Sequence, residues 1–117
     1  MKKILLIVLF FFATQAMAAD INVDGKWIVK TEGPYGRTME ATFVQKDEKI
    51  TVHAVDAMGS REGEGTIQGN KIIWYVKIDM PRGDRKITFT GNVSGDSMQG
   101  TATFVGDVKV NWSGKRM

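Results

Sequence analysis

The chain contains no cysteine at all. This excludes disulfide bonds, thiol nucleophiles and cysteine-ligated metal. Histidine is nearly absent too: His53 stands alone, and strand alternation puts it on a wet face, where an imidazole is a surface group rather than a general base. No Gly-x-Ser-x-Gly turn, no Asp-x-Asp-x-Asp loop and no glycine-rich loop leading into a helix occurs, so the sequence offers no nucleophile elbow, calcium loop or phosphate cradle. Glu62 and Glu64 share one strand face, and two carboxylates two residues apart on a strand read as a solvated face. These absences argue against an enzyme. No catalytic residue, cofactor or metal site is expected.

Beyond residue 20 helical periodicity is missing as well. Before it stands MKKILLIVLFFFATQAMA. Lys2 and Lys3 give a positive start, Ile4 to Ala13 is an unbroken apolar run, and Ala16-Met17-Ala18 is a small-x-small cleavage site. This is the pattern of a secretory signal peptide over 1–18, which leaves one domain over 19–117 and no stable membrane span after cleavage. The expected location is the periplasm or the outside of the cell. Loss of the two lysines lowers the formal charge from +3 to +1, and so balanced a surface argues against a dedicated nucleic-acid binder.

The remainder alternates apolar and polar residues with period two, the mark of antiparallel sheet with one buried face. Eight segments are expected. Their inward sets run from Gly25, Trp27, Val29 and Thr31 through Met39, Ala41 and Phe43, then Ile50, Val52 and Ala54, to Gly63, Gly65 and Ile67. The second half supplies Ile72, Trp74, Val76 and Ile78, then Ile87, Phe89, Gly91 and Val93, then Met98, Gly100, Ala102 and Phe104, and last Val108, Val110, Trp112, Gly114 and Arg116. Short hairpins are expected at QKDEK, at Gly69-Asn70 and at Gly95-Asp96, joining Phe43 to Ile50, Ile67 to Ile72 and Val93 to Met98 on one face. Longer connections are expected at 32–38, 56–62 and 79–86, with a tight one at Gly106-Asp107. Gly65-Thr-Ile-Gln-Gly-Asn is echoed by Gly91-Asn-Val-Ser-Gly-Asp, a strand-turn unit used twice.

Eight sequential strands leave two open edges unless the first pairs with the last. The fold class is therefore all-β, an antiparallel up-and-down barrel of about eight strands. Closure sets Gly25-Lys-Trp27 beside Gly114-Lys-Arg116 at the short-hairpin end. There Trp27 plugs the barrel and the Arg116 guanidinium covers its indole.

A Gly-x-Trp on the first strand crossed by an arginine at the end of the last resembles the signature of the calycins, the group of lipocalins, fatty-acid-binding proteins and avidins. The chain also resembles short bacterial exported proteins with a Gly-x-Trp start, Gly-x-Val-x-Gly-Asp turns and a C-terminal Gly-x-Arg. The resemblance implies a lipocalin-like minimal barrel and a binding function, with Gly25, Trp27 and Arg116 in structural roles.

Two readings of the interior stay open. Small inward residues next to aromatic ones leave a pocket, with Trp74, Phe89 and Phe104 as its walls, or they accommodate the aromatics in a filled barrel. The short chain favours the filled form. Four of the five arginines, Arg37, Arg61, Arg82 and Arg85, fall in or beside the long connections, together with Tyr35, Met58 and Met80. They suit a carboxylate or phosphate head group with an apolar tail. The partner is then a small hydrophobic or anionic amphiphilic ligand entering at this mouth. The alternative is a protein partner gripped by the same loops, with Glu32, Asp56, Glu62, Asp79 and Asp84 neutralising the arginines locally. The outward apolar residues Ile28, Val44, Val55, Ile73, Tyr75 and Val105 would support such an interface.

Overall fold

The structure is a computed structural model that describes residues 21–33, 36–78 and 85–117. The signal-peptide expectation over 1–18 lies outside the described residues, as do Tyr35, Met80 and Arg82. Eight strands follow one another: β1 (Gly25–Thr31), β2 (Thr38–Lys46), β3 (Lys49–Asp56), β4 (Gly59–Gln68), β5 (Lys71–Ile78), β6 (Arg85–Ser94), β7 (Ser97–Phe104) and β8 (Val108–Arg116). Each pairs antiparallel with the next, and β1 pairs with β8 to close the barrel in strict chain order. This is the expected up-and-down barrel, an architecture consistent with a calycin-like fold. Among the described residues no helix is long and apolar enough to cross a membrane.

The inward sets read from alternation form one core, with Trp27, Trp74, Trp112, Phe43 and Phe89 all fully or almost fully buried. Val108 is an exception: it has inward parity but lies exposed at the mouth. Four inward positions, Gly63, Gly65, Gly91 and Gly100, carry no side chain because the neighbouring backbone occupies the space. A Cβ at Gly63 would overlap the Tyr75 carbonyl, and one at Gly100 would overlap that of Thr90. These glycines let the strands coil tightly enough to close a narrow barrel.

Two hairpins differ from expectation. Phe43 lies opposite Val52, not Ile50, whose partner is Gln45. The β2–β3 turn is only Asp47-Glu48, made possible by Asp47 in the left-handed region (φ 59°), which aspartate tolerates better than most residues. The segment 56–62 is not a long loop. Ala57-Met58 alone connect β3 to β4, because Gly59 takes φ 128° and Asp56 Oδ1 accepts the Met58 N–H at 2.8 Å.

The closed end is built as the sequence implies, with one addition. Trp27 and Arg116 are register partners across the β1–β8 seam, and the guanidinium carbon lies 4.5 Å from the indole centroid. The same guanidinium donates to the Asp24 and Asn22 carbonyls at 2.6 and 2.9 Å and to Asp96 Oδ1 at 2.9 Å. The addition is a strap, Ile21–Asp24, drawn across the floor. Val23 is fully buried, its carbonyl accepts the Trp27 indole N–H at 2.9 Å, and Gln45 bonds both the Val23 N–H and the Ile21 carbonyl.

Trp27→Ala is expected to cost about 3–5 kcal/mol in urea unfolding, as a large buried aromatic is lost from a packed floor. Arg116→Ala should cost less. In a double-mutant cycle the combined loss should fall short of the sum by about 0.5–3 kcal/mol, because the two groups touch. Full additivity would mean that they do not share a contact.

Candidate functional site

The mouth opposite the strap is where sequence reasoning placed a ligand. Arg37 precedes β2, Arg61 sits on β4 and Arg85 opens β6, so the barrel brings Arg37 and Arg61 together. They meet on a carboxylate. Asp56 Oδ2 lies 3.7 Å from Arg37 Nη1 and 3.7 Å from Arg61 Nε, and its side chain is only 9% exposed. Arg61 is drawn inward by the early start of β4, with its side chain 16% exposed. Two of the four arginines thus share the single charge of Asp56, which leaves the cluster one positive charge in excess. Arg85 is exposed at the start of β6. Met58, expected to line the mouth, stands 77% exposed at the tip of the β3–β4 hairpin.

Beneath this rim the barrel is solid. Trp74 stacks on Phe89 with centroids 3.9 Å apart and planes 5° from parallel. Phe43 and Trp112 stand edge-to-face to Trp74 at 5.2 and 5.7 Å. Trp74 and Phe89, proposed as cavity walls, are therefore each other's filling, while Phe104 is half-buried at the rim. Among the described residues, the space under the mouth is about 10 Å³, bordered by Arg61, Val76, Ile87, Phe89 and Phe104. One water needs roughly that much, and a drug-sized ligand needs about 300–1,000 Å³. Among the described residues, spaces of ligand size open to the outside: one of about 360 Å³ beside the strap, lined by Ile21, Gln45, Ile67 and Gln68, and others of about 360, 470 and 500 Å³ over the wall strands. Sequence reasoning missed them, since a depression between outward side chains depends on sheet curvature.

Two of the tryptophans satisfy their indole N–H, Trp27 on the Val23 carbonyl and Trp112 on the Thr90 carbonyl at 3.0 Å. The Trp74 N–H is buried and has no partner among the described residues. An unmet buried donor costs about 1–3 kcal/mol. Three ring contacts worth about 0.5–1.5 kcal/mol each offset it. Packing, not hydrogen bonding, holds Trp74 in place. His53 lies on the outer wall as expected, with Nδ1 2.6 Å from Glu62 Oε1 and both side chains exposed. No group of three or more metal-ligating side chains occurs among the described residues. Compared with known proteins, the chain matches no family model and no curated protein.

The indole difference sets up a direct comparison. Trp74→Phe should destabilise less than Trp27→Phe, by about 1–2 kcal/mol, since only the latter breaks a satisfied hydrogen bond and orphans the Val23 carbonyl. Equal losses in urea unfolding would show that Trp74 has a partner after all. For the rim, Asp56→Ala should cost about 1–3 kcal/mol by removing the Met58 turn bond and leaving two guanidinium groups together. Pairing it with Arg61→Ala should recover part of that loss.

Proposed function

We propose that the protein is exported and acts as a non-catalytic binding protein that recognises its partner with the outside of a solid barrel. Export is supported by Lys2, Lys3, the apolar run Ile4–Ala13 and the Ala16-Met17-Ala18 site. The observation that carries the binding mode is the packed interior: with Trp74, Phe89 and Trp112 in mutual contact and about 10 Å³ left beneath the rim, an amphiphile has no room for its tail. The calycin resemblance of Gly25, Trp27 and Arg116 supports binding over catalysis, with the calycin cavity closed by aromatic packing. A second reading places a protein partner at the loop-bearing mouth. It is favoured by Met58, Val105 and Val108, all exposed apolar residues on the hairpins at that end.

All three tryptophans lie inside the barrel, so any molecule entering it would change their emission. Titration with fatty-acid-like amphiphiles of increasing tail length, at low and moderate salt, should leave the emission unchanged. A saturable response to any tail length would overturn the solid-barrel reading.

A further inference from the structure

The outer wall is not uniform. Strands β5 to β8 carry seven cationic side chains and not one carboxylate, whereas β2 to β4 carry Glu40, Asp56, Glu62 and Glu64. Strands β2 to β4 hold both signs, since Lys46, Lys49 and Arg61 accompany those carboxylates, so the one-signed wall is that of β5 to β8. Among the described residues, no ion pair engages Lys71, Lys77, Lys86, Lys109 or Lys115. Lys77 and Lys86 are even direct cross-strand partners, an arrangement that like charges make unfavourable.

Between these cations runs a polar belt. The depressions of about 360 and 470 Å³ lie side by side on β5–β8 and share Asn92, Gly100 and Thr101. Register places their donors and acceptors in two adjacent cross-strand rows. Thr90, Thr101 and Asn111 form one, and Asn92, Gln99 and Ser113 form the other. Ile73, 52% exposed, gives the first row an apolar end. Lys71 and Lys115 lie on the strap side of this belt, and Lys77, Lys86 and Lys109 lie toward the mouth. Among the described residues lining the two depressions Glu32 is the one carboxylate, at the mouth side of the larger.

We propose that this wall binds a linear acidic polysaccharide, with sugar hydroxyls on the amide and hydroxyl rows and the anionic groups on the flanking lysines. The proposal rests on the reading that recognition is external, and it names the surface and the ligand class. Amides and hydroxyls both donate and accept, as sugar hydroxyls require, and the carboxylate-free strands supply charge complementarity. Nucleic acid fits less well. Bases bind by stacking on aromatic faces, and the only aromatic side chain directed outward on β5–β8 is Tyr75, whose ring is covered by Lys86 at 4.2 Å. A membrane surface calls for a buried apolar face, and the belt offers only Ile73.

The test uses the protein as the cell makes it. Immobilised alginate, a polyuronate, is compared with neutral dextran, polyaspartate, single-stranded DNA and phosphatidylglycerol vesicles. Alginate should bind most tightly, and its binding should weaken as salt rises. Lys77→Gln with Lys86→Gln should reduce alginate binding about tenfold or more, the effect expected for lost charge-assisted contacts. Gln99→Ala with Asn111→Ala should weaken alginate but leave polyaspartate unchanged. Glu32→Gln should strengthen alginate binding, and Lys46→Gln on the opposite wall should leave it unaltered. The proposal is overturned if alginate does not bind, if polyaspartate binds equally well, or if DNA or vesicles bind more tightly. A tryptophan response to amphiphiles would instead sink the solid-barrel reading, so the two failures are distinguishable.

Discussion

Everything in this molecule depends on the seam where β1 meets β8. It is the contact of greatest sequence separation, and it turns an open sheet with two unpaired edges into a barrel with none. Arg116 works on both sides of it. Its guanidinium covers the Trp27 ring, reaches the strap through the Asn22 and Asp24 carbonyls, and holds the β6–β7 turn through Asp96. A lysine offers a point charge in place of the planar fork that these directions require. One side chain thereby joins the first strand, the last strand, the leading strap and a hairpin turn. A chain without cysteine needs such a junction, because no covalent staple fixes its ends together.

The narrowness of the barrel explains its solid interior. Inward glycines on β4, β6 and β7 let neighbouring backbones approach where a Cβ would collide, and the strands coil tightly as a result. The radius that remains is filled by Trp74, Phe89, Trp112 and Phe43 in stacked and perpendicular contact. The same small residues that suggest a cavity in the sequence are, in space, what allows the aromatics to meet. Trp74 makes three of these ring contacts, while its buried indole N–H has no partner among the described residues. A solid interior in turn directs recognition outward, to the mouth or to the wall. At the mouth Asp56 already occupies Arg37 and Arg61. The wall of β5–β8 keeps its five lysines free of carboxylate partners among the described residues.

Much of the fold was legible beforehand because period-two alternation is a local property. The number of strands, their inward residues, closure in chain order and the Trp27–Arg116 stack all follow from parity and from the need to bury one face. Turn lengths were less legible. Asp47 and Gly59 each take a positive φ, which shortened two connections by placing the turn immediately beside the strand end. The shorter β3–β4 turn carried Arg61 from an expected loop onto a strand, where Asp56 holds it.

The sequence alone determined which side chains point inward and which strand closes on which, since alternation and edge avoidance leave few other solutions. It also determined that no cysteine chemistry supports the fold. Only the tertiary structure decided whether the inward aromatics surround a space or fill it, because that depends on the barrel radius, which strand number and stagger set, and on the room the inward glycines leave for the aromatics to meet. It also decided that two mouth arginines share one carboxylate. And it gathered Asn92, Gln99, Thr101 and Asn111 from three strands into a single belt, because side chains remote in sequence become neighbours only through cross-strand register.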